Sequence, residues 1–508
     1  MMPNLAGILA RTARGCPDRT ALSFGAVTHS YAELDRRVSQ LANEFITRGL
    51  AKGDRLLIVS GNSDAFVIAL YAGLRAGAIV VPVNPRSAPP EIEYFLNDTQ
   101  AKLLVFGTEV AGVISAWQSS DAHQVEVPVL ALGSATGYED VLACAAQQPS
   151  EPPAVEVAED DDALIIYTSG TTGKPKGALF DHHRIIWVSI NSMAGFGLRV
   201  GEKLLHVAPL FHSADLNLVL IPGMMLGATH VILPSFDPEK VLETIEKERI
   251  GFFFGVPTMY AFLMRTPSLA TRDLSSLRIC MYGAAPMPSG LAQQIVAALP
   301  NAWIVQACGQ TEGGPGGILL THEEVLERPS ASGRFPIANT EVRIVDPDGN
   351  DAEPGTVGEM IMRGETMMKG YWRNPEATAA TIRDGWVHTG DLAQIDADGY
   401  ITIVDRMKDM IIAGGHNVYS AEVESAISGH PAVADVAVVG RLHEIYGETV
   451  VAVITPRENH TVTLEELREY ASDKISAYKL PRELVIAEIP RNPSGKILKH
   501  HLRDQVRG

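Results

Sequence analysis

The sequence predicts an α/β fold: a large N-terminal domain of α/β sheet subdomains ending in a small β-rich subdomain, then a small α+β C-terminal domain. Three observations carry this expectation. Apolar runs such as RLLIVS, AIVVPVN and KLLVFG alternate with helical stretches such as YAELDRRVSQLANEFITRG. That is the pattern of helices laid over a mainly parallel sheet, and it persists to about residue 330. From about Thr340, short strands around an Asp-Gly turn replace it. Beyond Arg406, strands and capped helices alternate over about 100 residues. A chain of 508 residues with 46% hydrophobic content exceeds the size at which one core stops growing, so division into domains is required.

In chain order, 216–236 is the longest stretch without a formal charge. Pro222, Gly223, Gly227, His230 and Pro234 interrupt it, so it reads as a buried helix and a buried strand rather than a membrane span. The segment AAQQPSEPPAVEVAEDDD, 145–162, is rich in proline and acid and reads as a solvated connection into the strand ALIIY. TEVRIVDPDGND and TVGEMIMRG read as two strands around the Asp-Gly turn, with DADGYITIVDR supplying another. Ser420 is placed to cap a helix ending near Gly429, and VADVAVVG and TVVAVITP follow as strands. Thr463 and Glu466 form a TxxE capping box for a helix with Leu464, Leu467, Ala471 and Ile475 on one face, before the strand ELVIAEI.

The balance of 42 basic against 60 acidic residues gives a net charge of -18, which repels nucleic acid and anionic membrane over most of the surface. A phosphate ligand therefore needs a local site. Cys16, Cys144, Cys280 and Cys308 are scattered without CxxC spacing, against a disulfide framework or a zinc site. The N-terminal MMPNLAGILARTARG lacks an uninterrupted apolar core of a secretory signal, so the expectation is a cytoplasmic enzyme without integral membrane association.

The stretch YTSGTTGKPKGA, 167–178, looks built for such a ligand. Gly170, Gly173 and Gly177 let main-chain N–H groups approach an anion, Thr168, Ser169, Thr171 and Thr172 add hydroxyls, and Lys174 and Lys176 add charge. It departs from the P-loop pattern because Pro175 stands where a magnesium-binding hydroxyl belongs. Alone, the stretch is also readable as an ordinary flexible turn.

The same stretch resembles the signature loop of the adenylate-forming superfamily of acyl-CoA synthetases, coumarate ligases, luciferases and peptide-synthetase adenylation domains. Further motifs extend the resemblance in family order over nearly the whole chain. In APLFHSADL the resemblance places Phe211 and His212 beside the acyl and adenylate sites. Amino-acid-activating relatives carry Asp where His212 stands, which speaks against an α-amino acid substrate. Asp215 is left open, either to serve a polar substrate or to cap the next helix. In YGAAPMP, Gly283, Ala284 and Ala285 are implied as a flat wall beside adenine and the acyl chain. In QACGQTE, Gln306, Ala307, Cys308 and Gly309 are implied to border the nucleotide, Thr311 to contact its phosphate and Glu312 to hold Mg²⁺. Cys308 stands where most relatives stack Tyr or Phe on adenine, so a smaller sulfur contact replaces the ring.

By the same resemblance, Asp391 of GWVHTGDLA accepts from both ribose hydroxyls and Arg406 contacts the ribose or a phosphate. Lys408 falls at the family's hinge, implying domains at 1–406 and 407–508 with the second mobile. Gly414 and Gly415 are implied to present bare backbone to the coenzyme A arm, and Lys496 of PRNPSGKILK matches the catalytic lysine. The implied catalytic set is Lys496, Glu312, Thr168 and His212, with Trp187, His212, Ser213, Leu216, Gly283 and Ala284 around the acid.

The activity implied is that of an acid:CoA ligase using ATP, Mg²⁺ and coenzyme A on a medium-chain fatty or aromatic acid, with a homodimer as a compatible assembly. Two alternatives share the residues: a ligase loading a carrier-protein thiol, and a non-catalytic nucleotide-binding protein.

Overall fold

The computed structural model describes residues 4–121, 123–168, 174–285, 287–443, 446–491 and 497–507. The chain divides into two compact units, Met1–Val342 with Met362–Val387, and Arg343–Ile361 with His388–Gly508.

The first unit carries two large sheets. One runs in the order 370–371, 176–181, 162–168, 79–83, 55–59, 103–107, 129–132. The other runs 335–336, 317–320, 303–309, 279–283, 252–255, 203–206, 229–232, 20–24, 27–30. Both are parallel through the middle and turn antiparallel where 162–168 meets 176–181 and where 303–309 meets 317–320. The apolar runs become the strands Arg55–Val59, Ile79–Val83 and Leu103–Gly107. Successive side chains point to opposite faces, so Leu56 and Ile58 pack with Leu34, Leu41 and Phe66, while Leu57 and Val59 pack with Ile92 and Phe95. Helices on both faces are the reason these strands are apolar without alternation.

The uncharged stretch folds as read. Ser213–Asp215 leads into a π-turn, Leu216–Leu220, where the Ile221 N–H bonds to the Leu216 carbonyl, then into Ile221–Met225 and the strand Thr229–Ile232. No described helix is long and apolar enough to cross a membrane. Between Val141–Ala145 and Asp162–Thr168 the chain has neither helix nor strand. The amides of Gln40 and Asn43 on helix Tyr31–Thr47 hold the carbonyls of Ala146, Gln148, Pro149 and Glu151 along the way.

In the second unit Trp386–Ile395, from His388 on, pairs antiparallel with Ile401–Arg406, Asp391 lying opposite Arg406. A further sheet runs 416–418, 411–413, 447–456, 433–443, with 483–486 parallel to 447–456. Ile411, Val438, Ala452 and Leu467 form its core. The Thr463–Glu466 capping box is present, each residue's N–H bonding to the other's side chain. Ser420 is not the cap of helix Ser420–Ser428 but its first residue. Tyr419 stands at the cap, and the carboxylate of Asp405 accepts from the Ser420 N–H and hydroxyl, placing negative charge at the helix N-terminus. The four cysteines are free thiols, and burial pushes Cys280 up to about 12.

Candidate active site

The site in the first unit is assembled around Glu312. Strand Trp303–Gly309 ends in the short turn Thr311–Gly313, which buries Thr311 and Glu312. Glu312 Oε1 accepts from Thr168 Oγ1 at 3.1 Å and from Tyr371 Oη at 2.8 Å. Thr168 is the last residue of strand Asp162–Thr168, and its ladder partner Lys176 opens the returning strand. Lys176 Nζ lies 5.1 Å from the Tyr371 ring centre. Both limbs of the glycine-rich loop are tied to helix Pro89–Thr99: Tyr167 Oη donates to Asp98, and Tyr94 Oη to the Pro175 carbonyl. The loop's own Ser169, Gly170, Thr171 and Thr172 lie outside the described residues.

Tyr371 is the residue that sequence reasoning does not reach. It sits on the two-residue strand Gly370–Tyr371, opposite Ala178, and only that pairing brings its phenol to Glu312. Nothing in the local sequence KGYW marks it as a carboxylate partner.

The wall predicted at Gly283, Ala284 and Ala285 follows strand Ile279–Gly283. A Cβ on Gly283 would come within 2.4 Å of the Ala307 carbonyl oxygen, so the residue must be glycine. Ala284 adopts φ +66°, a strained conformation for a residue with a Cβ, and both alanines are exposed. Gln306 spends its side-chain oxygen on Tyr282 Oη at 2.9 Å, and its backbone lies between the ladders to Tyr282 and Leu320. Cys308 is half-buried on the same strand, and a Cβ on Gly309 would meet the Pro315 carbonyl oxygen at 2.3 Å.

Among the residues expected around the acid, His212 is half-buried, in extended backbone directly before Ser213–Asp215. Ser213 is buried, with its Oγ 2.8 Å from Thr311 Oγ1, which links this turn to the turn carrying Glu312. Leu216 is fully buried in the main core, and Trp187 is half-buried on helix His182–Phe196. Asp215 caps nothing: it is 1% exposed, and its Oδ1 accepts from His206 Nδ1 at 2.8 Å.

In the second unit Arg406 Nε meets Asp391 Oδ1 at 2.7 Å. Lys408 is exposed two residues further on, its carbonyl accepting from Arg503 at 3.0 Å. Gly414 and Gly415, at φ +61° and +80°, make the two-residue turn between Ile411–Ala413 and His416–Val418. That turn needs left-handed backbone at both positions, which explains the glycine pair. Lys496 lies outside the described residues.

Glu312 suits Mg²⁺. It is a buried hard-oxygen ligand whose two described hydrogen bonds both reach Oε1, leaving Oε2 toward a cation. Among the described residues no cluster of three or more His, Cys, Asp or Glu forms a metal cage. Glu312 alone would hold the ion together with substrate phosphates.

Residues 9–372 match the family described as AMP-binding enzyme, and 422–496 match the AMP-binding enzyme C-terminal domain. The chain is 39% identical to a feruloyl-CoA synthase of Amycolatopsis sp over 494 residues, 97% of each chain. It is 37% identical to the long-chain-fatty-acid–CoA ligase FadD13 of Mycobacterium tuberculosis over 483 residues, 94% of this chain and 93% of the relative. The structure of the anthranilate CoA ligase AuaEII with anthranoyl-AMP superposes with a TM-score of 0.91 at 27% identity, covering 100% of this chain and 98% of that one. The chain therefore belongs to the AMP-binding enzymes of the adenylate-forming superfamily, as an AMP-forming acid:CoA ligase that uses ATP, Mg²⁺ and coenzyme A on fatty or aromatic acids.

Proposed function

We propose that this ligase activates an aromatic or medium-chain acid, with the residue roles read from its motifs. A carboxylate oxygen of the acid attacks the α-phosphorus of ATP, and pyrophosphate leaves to give acyl-AMP. The thiol of coenzyme A then attacks the acyl carbonyl, and AMP leaves. The observation that carries the assignment of roles is the Thr168–Glu312–Tyr371 cluster, which ties the glycine-rich loop to the metal-binding carboxylate. The 168–176 loop holds the departing pyrophosphate, and Lys496 neutralises charge building on phosphorus. Glu312 would hold Mg²⁺, which would supply neutralisation of the phosphate charge that otherwise repels the incoming carboxylate.

His212, Ser213, Trp187, Gly283 and Ala284 border the acid. Asp391 and Arg406 take the ribose, and Gly414–Gly415 pass the pantetheine arm. Residues 407–508 turn about Lys408 between the two steps. No side-chain nucleophile is required. Likeness to the feruloyl-CoA synthase and the anthranilate ligase supports an aromatic acid over a dicarboxylate. A cytoplasmic location and a homodimer complete the proposal.

Acid-dependent ATP–pyrophosphate exchange across ferulate, anthranilate, indoleacetate and dodecanoate tests the substrate class. Faster exchange with succinate or malonate than with any of these would overturn it. Formation of acyl-CoA from free coenzyme A distinguishes this enzyme from a carrier-loading ligase.

A further inference from the structure

Beneath the acyl-side turn lies a chain of buried polar groups that the roles above do not use. Asp215 Oδ1 accepts from His206 Nδ1–H at 2.8 Å, and His206 Nε2 shares a proton with His230 Nδ1 at 2.9 Å. The two imidazoles stack at 5.1 Å, and all three side chains are 0–1% exposed. His206 and His230 stand on neighbouring parallel strands, their side chains on one face of the sheet among Leu204, Leu218, Val219 and Phe252. Burial, and then His206, hold His230 well below its usual range. Asp215 Oδ2 and His230 Nε2 have no described partner. So much polarity in an apolar layer is expensive compared with well-packed leucines, so stability alone does not account for it.

Its position suggests its use. His206 and Asp215 are the two ends of the segment that holds Phe211, His212 and Ser213, and their bond closes that segment into a loop. Asn62 holds the same segment from outside, donating to the Ala208 carbonyl and accepting from the Leu210 N–H. At its far end Ser213 meets Thr311 at 2.8 Å. Helix Ile221–Met225 clamps the chain from above, for a Cβ on Gly223 would lie 2.5 Å from the His230 ring.

We propose that Asp215, held by His206 and His230, is a positioning residue for acid adenylation: it staples the 207–214 loop so that Ser213 stays on Thr311 and acid and nucleotide are presented together. This rests on the reading that Ser213 borders the acid and Thr311 the phosphate.

ATP–pyrophosphate exchange, measured with whichever acid of ferulate, anthranilate, indoleacetate and dodecanoate the native enzyme uses fastest, tests it. Asp215→Asn and His206→Gln are expected to raise KM for both acid and ATP roughly tenfold, the scale of one lost charge-assisted bond. His206→Asn, whose amide nitrogen can occupy the Nδ1 position, stays within about threefold of native. Asp215→Asn combined with Ser213→Ala is no worse than the poorer single variant, because both act through one contact. Multiplying losses in the double variant, or a lowered Tm with both KM values unchanged, overturns the proposal. If Asp215→Asn does not fold, equal behaviour of His206→Asn and His206→Gln overturns it instead. A native enzyme silent with all four acids refutes the substrate reading, and the proposal with it.

Discussion

His182 puts its imidazole at the start of the first helix. Its Nδ1 accepts from the Leu5 N–H at 3.3 Å, and burial lowers it from its usual 6.5 to about 4, against the weaker upward pull of Asp161 and Asp181. The unfolded chain binds a proton near the usual value and the folded chain only near 4, so stability is complete above that usual value and falls as the pH drops through the window. The full loss is on the order of 3 kcal/mol. Urea midpoints of the native protein and His182→Asn, followed from neutral pH downward, check this: the variant keeps an acceptor for Leu5 and loses this part of the slope. Lys496→Ala is expected to abolish adenylation yet leave thioester formation from supplied acyl-AMP largely intact, and equal loss of both steps would contradict its role. Glu312→Gln keeps an oxygen for Thr168 and Tyr371 but removes the charge for Mg²⁺. The expected result is a raised Mg²⁺ requirement in pyrophosphate exchange with little change in Tm.

At the scale of elements, helix Ile221–Met225 lies close on its sheet because Gly223 has no side chain. Its missing Cβ would meet His230 Cε1 and Leu204 Cδ1, both at 2.5 Å. The leucine end can swing aside, but the ring is held by His206. Gly223→Ala is therefore expected to destabilise by about 1–3 kcal/mol, read as a lowered denaturant midpoint. Directly before this helix runs the π-turn at Leu216–Leu220, an irregularity that often marks a functional segment. The glycine-rich loop shows the same dependence on neighbours. It leaves and re-enters one antiparallel ladder, and Tyr94 and Asp98 of a single helix hold its two limbs.

At the scale of the molecule, one chain is asked to run two reactions, and the proposed device is rotation about Lys408. Lys408→Pro is expected to impair one half-reaction far more than the other, measured as pyrophosphate exchange against acyl-CoA formation from supplied acyl-AMP. Uniform mild loss in both would argue against rotation. Besides 407–508, the second compact unit takes in 343–361 and 388–406, and with them Asp391 and Arg406.

Periodicity and punctuation alone determined the large architecture. Strands buried on both faces need continuous apolar runs, and a TxxE box needs only local geometry, so RLLIVS and Thr463–Glu466 were legible in one dimension. The residues proposed to act on phosphate, metal and ribose were legible only through the resemblance of ordered motifs to a family, since a lone carboxylate or lysine is most often a solvated surface charge. What depended on pairing across the fold was not legible. Tyr371 reaches Glu312 only because a two-residue strand lies beside 176–181, and Asp405 replaces Ser420 as the helix's capping group only because a strand end approaches it. Asp215, ambiguous as a letter in APLFHSADL, acquired a partner only when two parallel strands set His206 and His230 side by side. Backbone propensity and hydrophobic period act over a few residues and can be read along the chain. Hydrogen bonds between distant side chains depend on register between elements, which only the folded structure decides.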